Sequence, residues 1–213
     1  MQFMKIFCSL MVLIFANVLH SQQNFSFAAK ADSNVTFAGR WAYGTCATTE
    51  IAGNVLYFGN GGYLEVADIS VPGRPTKLSK VLTPGVVWDI AVNGDYAYVA
   101  NFSAGLRVID ISDSSNLQEV GSLNTEGTAL GVVISGQYIY LTVGEAGFRV
   151  IDISTPETPV EVGSWDTNGT ARGLAVSGNL VFVADAEQGL IVIIQTRLTR
   201  QQRFAIRLSK TVM

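Results

Sequence analysis

An internal repeat of 42 residues limits what this chain can fold into more than any other feature of the sequence. Leu106-Arg107-Val108-Ile109-Asp110-Ile111-Ser112 returns one period later as Phe148-Arg149-Val150-Ile151-Asp152-Ile153-Ser154. Leu64-Glu65-Val66-Ala67-Asp68-Ile69-Ser70 stands one period earlier. Leu190-Ile191-Val192-Ile193 begins a further copy, which fails at Ile194 where the aspartate would recur. Residues 87–128 and 129–170 share 18 identities over 42 gap-free positions, against about two or three from ordinary composition. Repetition at this period means stacked units, none of which can bury its apolar face alone.

Each copy reads as four short strands with no helical period. In the second copy the strands are predicted at Trp88–Val92, Tyr96–Ala100, Leu106–Ile111 and Glu119–Leu123. Asn93-Gly94-Asp95 supplies hairpin chemistry between the first two, repeated at Ser135-Gly136-Gln137 and Ser177-Gly178-Asn179. Pro156 and Pro159 fall in the loop between strands three and four, where a missing N–H breaks no ladder. A four-stranded unit of about 40 residues is the signature of a propeller blade. The expected fold is therefore all-β, a β-propeller built from about four 42-residue, four-stranded blades. The blade units fall at 46–86, 87–128, 129–170 and 171–194. Thr36-Phe37-Ala38-Gly39-Arg40-Trp41 resembles Glu161-Val162-Gly163-Ser164-Trp165, which is a fourth strand. Residues 35–44 would then complete the blade begun at Arg172–Ile193 and close the ring. The alternative is a truncated piece of a larger propeller.

The strand-three block carries a family resemblance. Gly105-Leu106-Arg107-Val108-Ile109-Asp110-Ile111-Ser112 and Gly147-Phe148-Arg149-Val150-Ile151-Asp152-Ile153-Ser154-Thr155-Pro156 resemble the LVIVD repeat. Ala91-Val92, Tyr96-Ala97-Tyr98-Val99-Ala100 and Glu161-Val162-Gly163-Ser164 match its flanks, so the resemblance covers roughly residues 35–193. It implies a β-propeller of the kind found in bacterial or archaeal exported and surface proteins, and it transfers no catalytic residue.

Lys5 precedes an apolar stretch from Ile6 to Leu19, and His20-Ser21-Gln22-Gln23 is polar. That order reads as a Sec-type signal peptide over 1–21, and the apolar stretch falls short of the roughly 20 residues of a membrane span. The expected location is secreted, periplasmic or cell-surface, with no membrane span after cleavage. Residues 22–34 form a polar linker. Residues 195–213 form a basic tail with Arg197, Arg200, Arg203, Arg207 and Lys210 and no acid. A basic helix, a partner-binding arm and a frameshift or truncation product all fit that tail. Loss of the signal removes Cys8 and leaves Cys46, expected as a small buried residue at a strand start, so no internal disulfide can form.

The single histidine, His20, lies in the signal. A mature chain without histidine excludes His-based acid–base catalysis, Ser-His or Cys-His nucleophiles and His-ligated metals. All 17 acidic residues fall within 22–194 against eight basic ones, a balance that argues against a nucleic-acid partner. Asp68, Asp110 and Asp152 recur inside the core motif and are expected to accept backbone hydrogen bonds in the adjoining turn. Arg107 and Arg149 are expected at the surface or between blades. Positions set by the fold recur, so positions that break the repeat are the candidate ligand-binding loops: Trp88, Asp89, Asn101, Phe102, Glu145, Arg172, Asp185 and Glu187. The expected function is an exported, non-enzymatic module that binds a protein or a surface glycan without a cofactor. Its rival is a calcium-dependent propeller enzyme, a lyase or lactonase-like hydrolase, with Glu145, Asp185 and Glu187 offering oxygen ligands. No compact loop of alternating Asp or Asn with glycine supports that rival.

Overall fold

The computed structural model describes residues 45–71 and 74–194. The signal segment, the linker, residues 35–44 and the tail 195–213 lie outside the described residues. The repeat emerges as four antiparallel sheets in chain order, each a simple meander. The first holds β1 (Thr49–Ala52), β2 (Val55–Asn60), β3 (Tyr63–Asp68) and β4 (Thr76–Leu82). The second holds β5 (Asp89–Asn93), β6 (Tyr96–Ala100), β7 (Leu106–Asp110) and β8 (Gln118–Leu123). The third holds β9 (Gly131–Ser135), β10 (Tyr138–Thr142), β11 (Phe148–Asp152) and β12 (Val160–Trp165). The last has only three strands, β13 (Ala171–Ser177), β14 (Leu180–Asp185) and β15 (Gly189–Ile194). Among the described residues no fourth strand lies on β15, and Leu190, Val192 and Ile194 of that strand are exposed.

Local chemistry explains the elements. Gly53, Gly94, Gly136 and Gly178 open the hairpins between first and second strands with φ near +60°, while the residues after them keep negative φ. Glycine at the first central position is the demand of a type II′ turn, whose twist matches the flanking strands. The third and fourth strands slip register at one repeated place, between Val66 and Ala67, Val108 and Ile109, and Val150 and Ile151. In each of the first three sheets this bulge leaves one extra residue on the outer strand.

Alternation along the strands sends side chains to opposite faces, and both faces are apolar. In β6, Ala97 and Val99 join Tyr57, Leu64 and Val66 of the first sheet, whereas Tyr98 and Ala100 join Ile139, Leu141 and Ile151 of the third. In turn, Tyr140 and Phe148 of the third sheet pack with Val181 and Val183 of the last. The core is therefore three layers lying between successive sheets rather than one interior.

A salt bridge inside each of the first three sheets corrects one expectation. Arg107 and Arg149 are neither surface residues nor bridges between blades. Each is nine-tenths buried, and each pairs with the strand-four glutamate of its own sheet: Arg107 Nη1 lies 3.3 Å from Glu119 and Arg149 Nε 3.6 Å from Glu161. In the first sheet the equivalent positions hold Glu65 and Lys77, 2.8 Å apart with the signs reversed. Burial pushes the Glu65 carboxyl up, but hydrogen bonds from Lys77 and Asn60 outweigh it and hold the group below the ordinary glutamate value. Cys46 is also not buried. It is exposed ahead of β1, with its Sγ donating to the Thr48 carbonyl at 3.5 Å.

The reversed pair gives a test. Arg107→Glu should destabilise the protein by about 2 kcal/mol, because it sets two carboxylates together in a largely buried place. Adding Glu119→Lys reproduces the arrangement of the first sheet and should recover most of that loss in chemical denaturation. A double variant no more stable than the single one would show that the position, not the pairing, matters.

Candidate functional site

In a four-stranded meander, the hairpins joining strands one to two and three to four lie at one end. The two-to-three loops and the connections to the next sheet share the other. Every candidate residue named above falls at this second end, where each corner is built by two repeated devices.

The first device is a backbone latch. The carbonyls of Gly61, Phe102 and Gly144 accept the N–H groups of Val87, Ala129 and Ala171, at 2.8, 2.8 and 3.0 Å. All three acceptor residues have positive φ, at +60°, +45° and +63°. The donors are fully buried.

The second device is a side-chain clasp on a threonine that also recurs every 42 residues, Thr83, Thr125 and Thr167, each followed by a glycine two positions on. Asn101 is wholly buried, its Nδ2 donating to Thr83 Oγ1 at 2.8 Å while its Oδ1 accepts the Gly85 N–H at 2.7 Å. Asp185 takes the same position in the last sheet and accepts from Thr167 Oγ1 at 2.5 Å and from the N–H groups of Glu187 and Gln188. Burial raises the Asp185 carboxyl, yet these donors prevail and hold it below the usual aspartate value. In the third sheet the position is Val143, and the buried Thr125 hydroxyl has no hydrogen-bond partner. The 42-residue Thr-x-Gly spacing is the sequence signal that marks this clasp.

The remaining candidates divide among the corners. Asp89 ties three inner strands together: its Oδ1 accepts from Thr48 Oγ1 and the Ile90 N–H, both at 3.0 Å, and its Oδ2 from the Val132 N–H at 2.9 Å. Arg172 sits at the irregularity in β13, its side chain exposed and its carbonyl accepting from Thr142 Oγ1 at 3.2 Å. Glu187 accepts from the Thr170 N–H and hydroxyl. Glu145 lines a hollow of about 450 Å³ with Glu126, Ala146, Arg149, Ser164 and Asp166. Trp88 and Phe102 remain exposed and stack on one another, centroids 5.4 Å apart. The eight residues thus do not form a single site. Asp89, Asn101 and Asp185 are engaged within the scaffold, whereas Trp88, Phe102 and Glu145 face outward.

Among the described residues no group of three or more His, Cys, Asp or Glu side chains is arranged to hold a metal ion. The recurrent aspartates accept from their own turns, Asp68 from the Ser70 N–H, Asp110 from Ser112 and Asp152 from Ser154, at 2.7, 2.9 and 2.9 Å. The Ser70 N–H holds the Asp68 carboxyl below the ordinary value, and the Ser112 side chain and N–H do the same for Asp110.

The unequal clasps predict opposite effects for reciprocal substitutions. Asn101→Val removes the partner of the half-buried Gly85 N–H and of the Thr83 hydroxyl and should cost about 2 kcal/mol. Val143→Asn places a partner beside Thr125 and Gly127 and should add about 1 kcal/mol. Denaturant titration reads both, and a Val143→Asn variant less stable than the parent would show that lost apolar packing outweighs the new bonds.

The profile of the LVIVD repeat matches four consecutive stretches, residues 44–83, 84–125, 126–167 and 168–193. Its frame begins each copy two or three residues before the blade units drawn from the sequence. Among curated proteins none matches the chain. Among solved structures, the computationally designed Ika4 protein is similar, with a TM-score of 0.62 and 15% identity over 73% of this chain and 94% of that one. The computationally designed Ika8 protein has a TM-score of 0.60 and 16% identity over 70% of this chain and 45% of its own. Likeness at such identity speaks for the fold alone. With the repeat matched over most of its length and its described residues folded into three successive four-stranded sheets and a three-stranded one, the chain belongs to the LVIVD repeat family.

Proposed function

We propose that this chain is an exported, non-enzymatic interaction module that presents its blade corners to a protein or glycan partner. The observation that carries this reading is the division of labour at one end of the sheets. Latches and clasps there recur because the fold needs them, while Trp88, Phe102 and Glu145 break the repeat and face outward. Binding proteins place variable side chains on a rigid scaffold in this way. The carboxylates named for the calcium-enzyme alternative lie on two different corners, and two of the three already accept protein hydrogen bonds.

Export rests on the charged and then apolar N-terminus. Mass spectrometry of the native protein should find a mature chain beginning at Gln22, and an intact Met1–Ser21 on a soluble cytoplasmic species would end that part of the reading.

Among the described residues β15 has no strand on its outer edge, and such edges are ordinarily covered. By sequence, Thr36–Trp41 carries the fourth-strand pattern, and this reading assigns it that slot, closing the ring. Cysteines introduced at Gly39 and Val192, in a Cys46→Ser background, should oxidise to a cross-link. A well-folded protein that refuses the cross-link would instead be a piece of a larger propeller.

A further inference from the structure

The last sheet carries the side chains of a packing layer with no sheet upon them. Leu106 and Phe148, one period apart, are 0% and 3% exposed, whereas Leu190 at the same place in the repeat is 69% exposed. Val108 is fully buried, and Val192 two periods on is 52% exposed. Leu106 and Val108 belong to the layer between the second and third sheets, and Phe148 and Val150 to the layer between the third and the last. Along β15, Leu190, Val192 and Ile194 alternate with Ile191 and Ile193, which pack toward the third sheet. The three exposed residues therefore share the opposite face. Val192 lies beside Phe182 and Leu190 beside Ala184, which extends the apolar row onto β14. This face continues the pattern that receives a following sheet everywhere else in the chain, and an exposed apolar patch of this kind marks an association surface.

Connectivity says which sheet belongs there. The fourth strand of each of the first three sheets runs directly into the first strand of the neighbouring sheet, through residues 83–88, 124–130 and 166–170. Residues 42–48, between Trp41 and β1, make a connection of the same length. A chain that lays Thr36–Trp41 on the edge of a last sheet therefore lays its own first sheet over the face beyond. If strand and sheet came from the same chain, Leu190 and Val192 would be covered, and both are exposed.

We infer that a second copy of this chain supplies both pieces: its Thr36–Trp41 completes its partner's last sheet, and its first sheet covers the bare face. The inference rests on the fourth-strand assignment made above and names the chain that provides the strand. A half-turn about the ring axis repeats the contact at the other junction, so a pair closes with neither face left bare. Propellers ordinarily hold about four to eight blades, and two copies of four sheets reach that limit, which leaves no place for a third. The test uses the mature chain carrying Gly39→Cys and Val192→Cys in the Cys46→Ser background, oxidised and then denatured without reductant. The cross-linked species should have twice the mass of one chain, and light scattering of the parent should also give twice that mass. Leu190→Glu should halve the mass in solution while keeping the strand signal in circular dichroism. A cross-link formed within single chains would keep the strand assignment and overturn the second copy. A folded chain that forms no cross-link would overturn both, leaving the edge of β15 to residues after Ile194 or to a larger propeller. A parent of one chain, or of three or more, would overturn the two-copy ring.

Discussion

Burial between neighbouring sheets is the interaction on which everything else in this protein depends. The inner strands of the middle sheets turn alternate apolar side chains to two partners, as β6 does when Ala97 and Val99 face one sheet and Tyr98 and Ala100 the other. Tyr98 and Tyr140 are almost entirely enclosed in successive layers. Truncating a buried aromatic of this size costs about 3–5 kcal/mol, a large share of the 5–15 kcal/mol that keeps a typical domain folded. A single sheet would leave both faces in water. The blades are therefore stable only as neighbours, and the repeat must keep its period for the layers to interlock.

That constraint explains which polar groups became structural. Between apolar layers an unpaired charge or N–H is costly, so most polar groups near the layers are partnered, Arg107 Nε and the Thr125 hydroxyl being exceptions among the described residues. The ion pair of strands three and four keeps its partners even when its signs are exchanged between the first sheet and the next two. The threonine clasp takes either Asn101, whose amide donates to the Thr83 hydroxyl, or Asp185, whose carboxylate accepts from the Thr167 hydroxyl, because a hydroxyl can accept or donate. Where Val143 replaces them, the Thr125 hydroxyl is left alone, which shows that a single corner tolerates the defect while the layers around it hold. Trp88 and Phe102 are the exposed pair at this end that neither layer nor clasp requires.

The sequence carried the architecture well, because blade topology follows from signals local in the chain. The 42-residue period, the turn glycines and the strand alternation placed the second sheet to within a residue or two of its observed ends. The resemblance in the strand-three block was likewise sufficient for the family. The candidate residues were only partly legible. Breaking a repeat marks a position as unusual without saying which way its side chain points. By that criterion Asn101 and Phe102, adjacent in the chain, looked alike.

Three-dimensional packing separated them. Asn101 turns inward because Thr83 and Gly85, in the preceding connection, offer it partners across the corner. Phe102, at positive φ with its carbonyl latched to Ala129, stays exposed with its ring against Trp88. The same holds for Arg107 and Arg149, expected at the surface or between blades: the antiparallel pairing of strands three and four brings a glutamate of their own sheet beside each. Periodicity and turn chemistry are properties of neighbouring residues and can be read along a line. Burial, pairing and backbone strain depend on residues tens of positions apart, and those distances exist only after the sheets have packed.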